Sequence, residues 1–118
     1  MAKFFIISTS YKDNVERATL PWVEAVAANA EDHEVIVFLQ GPAVRIATKG
    51  CARALVFPPF PPICELMDTF MEGGGKVFVC GTCMQAHEVA VEDLIEGVDV
   101  AGVGFLVHES ANARIISY

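Results

Sequence analysis

The residues of this chain whose types and spacing could do chemistry are Cys80 and Cys83, which form a C-x-x-C motif. The apolar residues 77–79 precede them and are typical of a β-strand, and residues 84–96 have the character of a helix. Such cysteines lie at the carboxyl end of a strand and beside a helix N-terminus, where ligands of open α/β sheets bind. Free amide donors and the helix dipole favour an anion there, and therefore a thiolate. A thiolate attacks sulfur, binds metal or carries a persulfide, so the motif predicts thiol chemistry of an unspecified kind.

Several kinds of thiol site are compatible with these residues. A zinc site needs four ligands: Cys80, Cys83 and His87 supply three, and Cys51 or Cys64 would have to come from a distant segment or another subunit. A thiol–disulfide or peroxide-reactive pair uses the same two cysteines. His87 either tunes a thiol or is a surface residue without a role. The simplest alternative is that Cys80 and Cys83 are small buried hydrophobic residues, as we expect for Cys51 and Cys64. The spacing favours chemistry at Cys80 and Cys83, and we assign no metal.

The polar loop of residues 8–11 supports a hypothesis of another class. It follows the first predicted strand, where flavodoxin-like proteins bind phosphate, although it lacks a glycine-rich turn. On this hypothesis the chain is a non-catalytic oligomeric module that binds a nucleotide or another small anion. A third possibility is a purely structural or regulatory oligomer. We assign no cofactor, and we expect His33, which lies between two acidic residues, to be a solvated turn residue.

The composition predicts a single domain, residues 1–118, that associates with copies of itself. A chain of 118 residues has room for one core. Hydrophobic residues make up 53% of it and the mean hydropathy is +0.44. A domain of this size buries only about two-thirds of the surface that its unfolded chain exposes. We therefore expect an apolar subunit interface, to which the proline-fixed residues 56–62, with Phe57 and Phe60, contribute.

Charge and hydropathy exclude two classes of partner. The net charge is −7 and Lys and Arg together number eight, so there is no basic surface for a nucleic acid. No apolar run approaches the roughly 20 residues that a membrane span requires. The apolar start of the chain is too short for a signal peptide, so we expect a cytoplasmic protein with no membrane partner. In that compartment four cysteines are expected to be reduced, catalytic or metal-bound rather than paired in disulfides.

The alternation of strand and helix patterns predicts a parallel sheet that is covered on both faces. The predicted strands are residues 3–8, 34–39, 76–80, 98–101 and 114–118. The predicted helices are residues 13–30, 41–50, 63–71, 84–96 and 103–111. Asp13 with Glu16 predicts the start of the first helix, and Pro21 predicts a kink or restart near Leu20. The fold class is therefore α/β: a three-layer α/β/α domain with a five-stranded, mainly parallel sheet.

With these elements laid out, the chain resembles the DsrE/DsrF-like family, which includes TusD-like and YchN-like proteins. The most specific matches are residues 77–83, with the sequence Val-Phe-Val-Cys-Gly-Thr-Cys, and residues 92–98. The first strand with its polar loop, Gly41 with the short helix after it, the helix that leads into Gly73 and the closing strand also fit. The resemblance implies a five-stranded parallel sheet and a homo-oligomer, commonly a trimer or hexamer. It also implies sulfur transfer through a cysteine persulfide, as in several members.

The relay cysteine of that family falls at the end of the third strand, which is Cys80 in this chain. The resemblance therefore implies a sulfur transferase or carrier in which Cys80 accepts and donates sulfur and Cys83 is a helper or resolving thiol. It also implies sulfur donor and acceptor proteins as partners. Many members have Gly eight residues after the relay cysteine, where this chain has Glu88, preceded by His87. We expect the helix to start differently at that point.

Overall fold

The computed structural model describes residues 1–118 and contains five β-strands and four α-helices. The strands are β1 (Lys3–Ser8), β2 (Glu34–Leu39), β3 (Lys76–Cys80), β4 (Val98–Ala101) and β5 (Arg114–Ser117). The α-helices are α1 (Val15–Ala30), α2 (Ile63–Glu72), α3 (Gly81–Ala86) and α4 (Val103–Ser110). Short 3-10 helices are formed by Gly41–Ala47, Ala52–Ala54 and Val91–Asp93. The bounds of β1 to β4 agree with the prediction, and β5 ends one residue earlier.

All five strands pair in parallel in one sheet, in the order β4-β3-β2-β1-β5. The first four strands follow one another across the sheet, and the chain then returns through α4 to place β5 on the far side of β1. Strands β1 and β2 are nearly continuous apolar runs because the sheet buries them on both faces. The predicted α/β class with a five-stranded sheet is confirmed, and the sheet is entirely parallel.

The two faces of the sheet are covered unequally. On one face α1, α2 and the 3-10 helix Gly41–Ala47 enclose a core of 22 buried residues, with Trp22 and Phe70 among the largest. On the other face α4 packs Phe105 and Leu106 against a buried cluster of four residues, which are Phe5, Ile36, Phe38 and Cys80. These layers make the predicted α/β/α arrangement. The layer that covers the second face is the thinner one, and in it Val107 on α4 remains 60% exposed.

The start and the middle of α1 both differ from the prediction. The N-cap residue is Asn14, whose side-chain oxygen accepts the Arg17 N–H at 3.0 Å. Asp13 instead accepts the Tyr11 N–H at 2.7 Å and so fixes the turn before the helix. Near Leu20 a restart of the helix is wrong, because α1 runs unbroken through the buried Pro21, and the alternative of a kink stays a prediction. None of the four helices has both the length and the apolarity that crossing a bilayer requires.

The helix predicted for residues 84–96 is also wrong. α3 begins at Gly81 and ends at Ala86, and Glu88 then takes a left-handed backbone conformation with φ of 55°. An α-helix cannot continue through that conformation, so the chain turns and forms only the 3-10 helix Val91–Asp93 before β4. The helix after β2 is a 3-10 helix that ends at Ala47 rather than at Gly50.

We expect Gly75→Ala to lower the free energy of unfolding by about 1–3 kcal/mol in urea denaturation. A Cβ atom at Gly75 would overlap the ring of Phe70, which is fully buried and lies edge-on to Trp22 with ring centroids 6.1 Å apart. The packed ring has little space to move aside. In α4, by contrast, a Cβ at Gly104 meets nothing within 4 Å, so Gly104→Ala should not destabilise the protein. If Gly75→Ala lowers the free energy of unfolding by the same amount in a protein that also carries Phe70→Leu, this explanation is contradicted.

Candidate functional site

The loops after β1, β2 and β3 meet at the carboxyl edge of the sheet. The register places Ser8 beside Leu39 and Leu39 beside Val79, so the three strands end side by side. The Gln40 N–H donates to the Ser8 carbonyl oxygen at 2.9 Å, which extends the pairing one residue further. Gly41 then turns the chain with φ of +56°, a conformation that glycine adopts without a steric penalty. This edge is where the fold presents backbone groups and side chains to a ligand.

Cys80 is both the last residue of β3 and the N-cap of α3. Its Sγ accepts the backbone N–H of Cys83 at 3.4 Å, so the sulfur takes the capping role that an oxygen usually has at a helix N-terminus. The side chain is only 2% exposed and packs against Phe5, Ile36 and Phe38 beneath α4. The thiol therefore has an amide donor on one side and apolar side chains on the other.

Cys83 is half-buried and contacts the apolar residues of both faces of the sheet. Burial is the main influence that raises the pKa of the Cys83 thiol, and the Cys80 side chain raises it further. The backbone N–H of Gly41 opposes this by donating to the sulfur. The net direction is upward, so near neutral pH Cys83 is held in the protonated form. The structure thus brings the two predicted site residues together and adds Gly41 to them.

His87 is held at the end of α3 rather than beside the sulfur atoms as a third ligand. Its backbone N–H donates to the Cys83 carbonyl oxygen at 3.0 Å, and its own carbonyl oxygen accepts from Arg45 Nη2 at 2.6 Å. No three His, Cys, Asp or Glu side chains of the chain come together in an arrangement that could hold a metal ion. The zinc alternative, with Cys51 or Cys64 as a fourth ligand, therefore has no support within one subunit.

Arg45 and Tyr11 belong to the surroundings of the site, although the sequence analysis did not single them out. Burial raises the pKa of Tyr11, the neighbouring Cys51 thiol raises it further, and the Arg45 guanidinium opposes the rise. Cys51 thus lies against the loop that follows β1. Arg45 is the only positively charged residue of the 3-10 helix Gly41–Ala47. This isolated charge was the feature of the sequence that could have indicated a role for Arg45.

The loop of residues 8–11 exposes few free groups to an anion, because its Ser8 hydroxyl, which has no hydrogen-bond partner, is buried. Ser8 and Ser10 are buried, and the Thr9 hydroxyl donates to the Tyr118 carbonyl oxygen at 2.6 Å. The Tyr11 N–H is taken by Asp13. A phosphate-binding loop needs several unpaired amide donors that point at the ligand, so this geometry weakens the nucleotide or anion hypothesis.

His33 lies at the opposite edge of the sheet, and its prediction as a solvated turn residue is wrong. Its Nδ1 accepts the Ala2 N–H at 2.8 Å, and its ring packs edge-on to Phe4 with centroids 5.3 Å apart. The imidazole thus fixes the start of β1 and takes no part in the thiol site.

An open apolar groove of about 720 Å³ lies beside the motif. Gly81 and Thr82, the two residues between the cysteines, form part of its wall, and Met84 lines it from α3. Val91 and Val100, which are 65% and 45% exposed, also line it. A molecule in this groove contacts the segment that separates the two thiols.

We expect the pKa of Cys83 to fall when Cys80 is replaced by alanine. The Cys80 side chain raises the pKa of Cys83 through a hydrogen bond and through its charge, and both effects end with the substitution. The burial of Cys83, which also raises the pKa, remains. The rate of Cys83 alkylation, followed by mass spectrometry of the cysteine-containing peptide, should therefore rise at a lower pH than in the unsubstituted protein. Cys51→Ser serves as the control and should leave the pH dependence of the Cys83 alkylation rate, its pH profile, unchanged. An unchanged or upward-shifted profile in Cys80→Ala would contradict the contact between the two thiols.

The sequence and the fold were compared with those of known proteins. Among relatives, the protein MJ0989 of Methanocaldococcus jannaschii is 35% identical over 105 residues, which cover 89% of each chain. The protein MK0008 of Methanopyrus kandleri is 36% identical over 93 residues, 79% of this chain and 74% of that one. MJ0760 of Methanocaldococcus jannaschii is 27% identical over 100 residues, and the match spans only 36% of its length. All three are described as uncharacterized proteins.

Two solved structures share the fold at low sequence identity. The crystal structure of the ychN protein from E. coli superposes with a TM-score of 0.84 at 18% identity, covering 100% of both chains. The protein of unknown function MTH1491 from Methanobacterium thermoautotrophicum superposes with a TM-score of 0.70 at 19% identity, covering 99% of this chain and 98% of that one. The model of the DsrE/DsrF-like family matches residues 1–118, so the chain belongs to the DsrE/DsrF-like family.

Proposed function

We propose that this protein carries sulfur as a persulfide on Cys80, with Cys83 as the thiol that limits the lifetime of that persulfide. The observation that carries the proposal is the placement of the two cysteines at the end of β3, where Cys80 Sγ accepts the backbone N–H of Cys83 and the Cys80 side chain raises the pKa of the Cys83 thiol. Membership of the DsrE/DsrF-like family agrees with a role in sulfur relay. Proteins that donate and accept sulfur are the proposed partners, and a reducing, cytoplasmic setting fits four free cysteines.

The loading step exchanges sulfur between two thiol groups. The Cys80 thiolate attacks the outer sulfur of a donor persulfide, R–S–SH, and forms Cys80–S–SH while R–S⁻ leaves. The Cys83 N–H donates to Cys80 Sγ, so the attacking sulfur is held beside a backbone amide. Because Cys80 is 2% exposed, loading requires the residues around it to open. The same burial shields a bound persulfide from reductants in solution.

The raised pKa of Cys83 has a direct consequence for such a persulfide. A Cys83 thiolate would attack the inner sulfur of Cys80–S–SH, form a Cys80–Cys83 disulfide and release HS⁻. The thiolate is the nucleophile in this exchange, so a protonated Cys83 reacts slowly. Burial and the Cys80 side chain hold Cys83 in that form near neutral pH. The sulfur then stays available to an acceptor and is released more readily as pH rises through the pKa of Cys83.

The same pair of atoms could serve thiol–disulfide exchange or peroxide reduction, and the half-buried, neutral Cys83 is the feature that argues against these roles. A resolving thiol works best when its pKa is near the ambient pH. A non-catalytic binding module, the remaining alternative, would accept no sulfur at either cysteine. Exposure of the protein to a sulfane-sulfur donor therefore distinguishes a persulfide carrier, a thiol–disulfide or peroxide-reactive protein, and a binding module.

The central test is the mass of the intact protein after exposure to a sulfane-sulfur donor. We expect an addition of one sulfur atom to the unsubstituted protein and none to Cys80→Ser. Cys83→Ser should load and keep its persulfide longer, and the difference in lifetime should grow as pH rises, because Cys83 ionises. Cys51→Ser and Cys64→Ser are matched controls that should behave as the unsubstituted protein.

Three results would count against this assignment. Equal loading of Cys80→Ser and the unsubstituted protein would remove Cys80 from the role of sulfur carrier. A donor-dependent Cys80–Cys83 disulfide without any persulfide in Cys83→Ser would favour thiol–disulfide exchange. Absence of any mass change in every variant would leave the binding module as the better description.

We also propose that the protein is a homo-oligomer, a trimer or a hexamer, in which residues 56–62 contact a neighbouring subunit. Val56 and Phe57 are 45% and 36% exposed in the single chain, next to prolines that fix the loop. Light scattering should give three or six times the subunit mass of 12.7 kDa. Phe57→Ser should lower that mass, whereas Val107→Ser on α4 should not. A monomer at micromolar concentration would contradict the oligomer, and dissociation by Val107→Ser alone would move the interface to α4.

A further inference from the structure

A second cavity, of about 370 Å³, lies between α2 and the segment that follows β2. Its volume is within the range of sites that bind small molecules, about 300–1,000 Å³. Neither Cys80 nor Cys83 lines it, so it is separate from the thiol site. Its floor and its rim differ in chemistry.

The floor is apolar and well packed. Ile46, Ala52 and Met67 supply it, and their side chains are 0%, 7% and 1% exposed. Cys64, half-buried near the start of α2, forms part of the wall. Met67 and Cys64 both contribute sulfur atoms, which are polarisable and pack well against a flexible apolar group or a thioether.

The rim carries one charge of each sign. Arg53, in the 3-10 helix Ala52–Ala54, and Asp68, on α2, are both exposed at the mouth. They do not pair with each other, and neither makes a side-chain hydrogen bond; the one ion pair of the chain joins Lys3 and Glu109 at the far edge of the sheet. Two opposite charges at one opening, both free, match a ligand that carries both signs itself.

We infer that this cavity binds a small zwitterion of the amino-acid type. The ligand's carboxylate pairs with Arg53, its ammonium group pairs with Asp68, and its apolar side chain lies on the floor formed by Ile46 and Met67. A planar guanidinium suits a carboxylate because it can donate two parallel hydrogen bonds. The site is independent of sulfur transfer and should persist in Cys80→Ser.

L-Methionine is a suitable probe, because it has both charges and a thioether side chain of the right character. Two derivatives separate the charges: N-acetyl-L-methionine lacks the ammonium group, and L-methioninamide lacks the carboxylate. Calorimetric titration should show binding of L-methionine, with each derivative weaker by about tenfold, the effect of losing one hydrogen-bonded charge. Arg53→Gln and Asp68→Asn should each weaken L-methionine by a similar factor. Glu65→Gln, an exposed acid on the same helix that does not line the cavity, is the matched control and should bind normally.

The pattern across ligands and variants tests the placement of each charge. Arg53→Gln should bind L-methionine and L-methioninamide about equally, because the partner of the carboxylate is gone. Asp68→Asn should likewise bind L-methionine and N-acetyl-L-methionine about equally. L-Methionine should also protect Cys64 from iodoacetamide without protecting Cys51, which lies outside the cavity.

Three outcomes would overturn the inference. The first is no binding of L-methionine at concentrations up to tens of millimolar. The second is binding that neither Arg53→Gln nor Asp68→Asn weakens relative to Glu65→Gln. The third is equal binding of L-methionine and both derivatives, which would describe an apolar pocket without recognition of a zwitterion. Persulfide loading should be unchanged in Arg53→Gln. If L-methionine does not bind, the proposal of sulfur transfer on Cys80 is therefore unaffected.

Discussion

The parallel pairing of β1, β2 and β3 is the constraint on which the rest of this structure depends. In a parallel sheet every strand ends at the same edge, and the register here places Ser8, Leu39 and Val79 in one row. The next residues along the chain are therefore neighbours in space, although some thirty to seventy positions separate them in sequence. A slip of one residue in β3 would turn Cys80 to the opposite face, because successive side chains of a strand alternate. The pairing of these three strands thus decides where the thiols lie.

The unequal covering of the sheet gives the two cysteines different surroundings. Val77 and Val79 point into the large core, so Cys80, one residue further, points to the thinner face beneath α4. Cys83 lies one turn along α3 and contacts apolar residues from both faces. Cys80 is consequently enclosed by aromatic residues, whereas Cys83 lies where the loop after β2 approaches and remains half-buried. The division of labour that we propose follows from this difference in position.

Strands β1, β2 and β3 were predictable because each is a short apolar run bounded by polar or glycine residues, and a buried parallel strand requires little else. The position of Cys80 at a strand end followed from the same pattern. The length of α3 was not predictable, because residues 84–96 contain good helix formers and no proline. What ends the helix is the left-handed backbone at Glu88, a conformation that glycine adopts at little cost. A glycine at this position would have indicated the turn, whereas Glu88 gave no such signal. The contacts of Gly41 and Arg45 with α3 join distant parts of the chain, and apart from the isolated positive charge of Arg45 the sequence did not indicate them.

The early end of α3 also bears on the chemistry. A helix of six residues has a weak dipole, so the thiols depend more on individual hydrogen bonds than on the helix as a whole. The Arg45 guanidinium donates to the His87 carbonyl oxygen at the C-terminus of α3, where a cation is favoured. Because Arg45 and Gly41 belong to the same 3-10 helix, this bond fixes Gly41 relative to α3 and keeps its N–H near the Cys83 sulfur. That N–H is the backbone contact that opposes the rise in the pKa of Cys83, and a shift of the 3-10 helix would leave the thiol more strongly protonated. Arg45 can therefore influence how readily Cys83 attacks a persulfide without touching either sulfur atom.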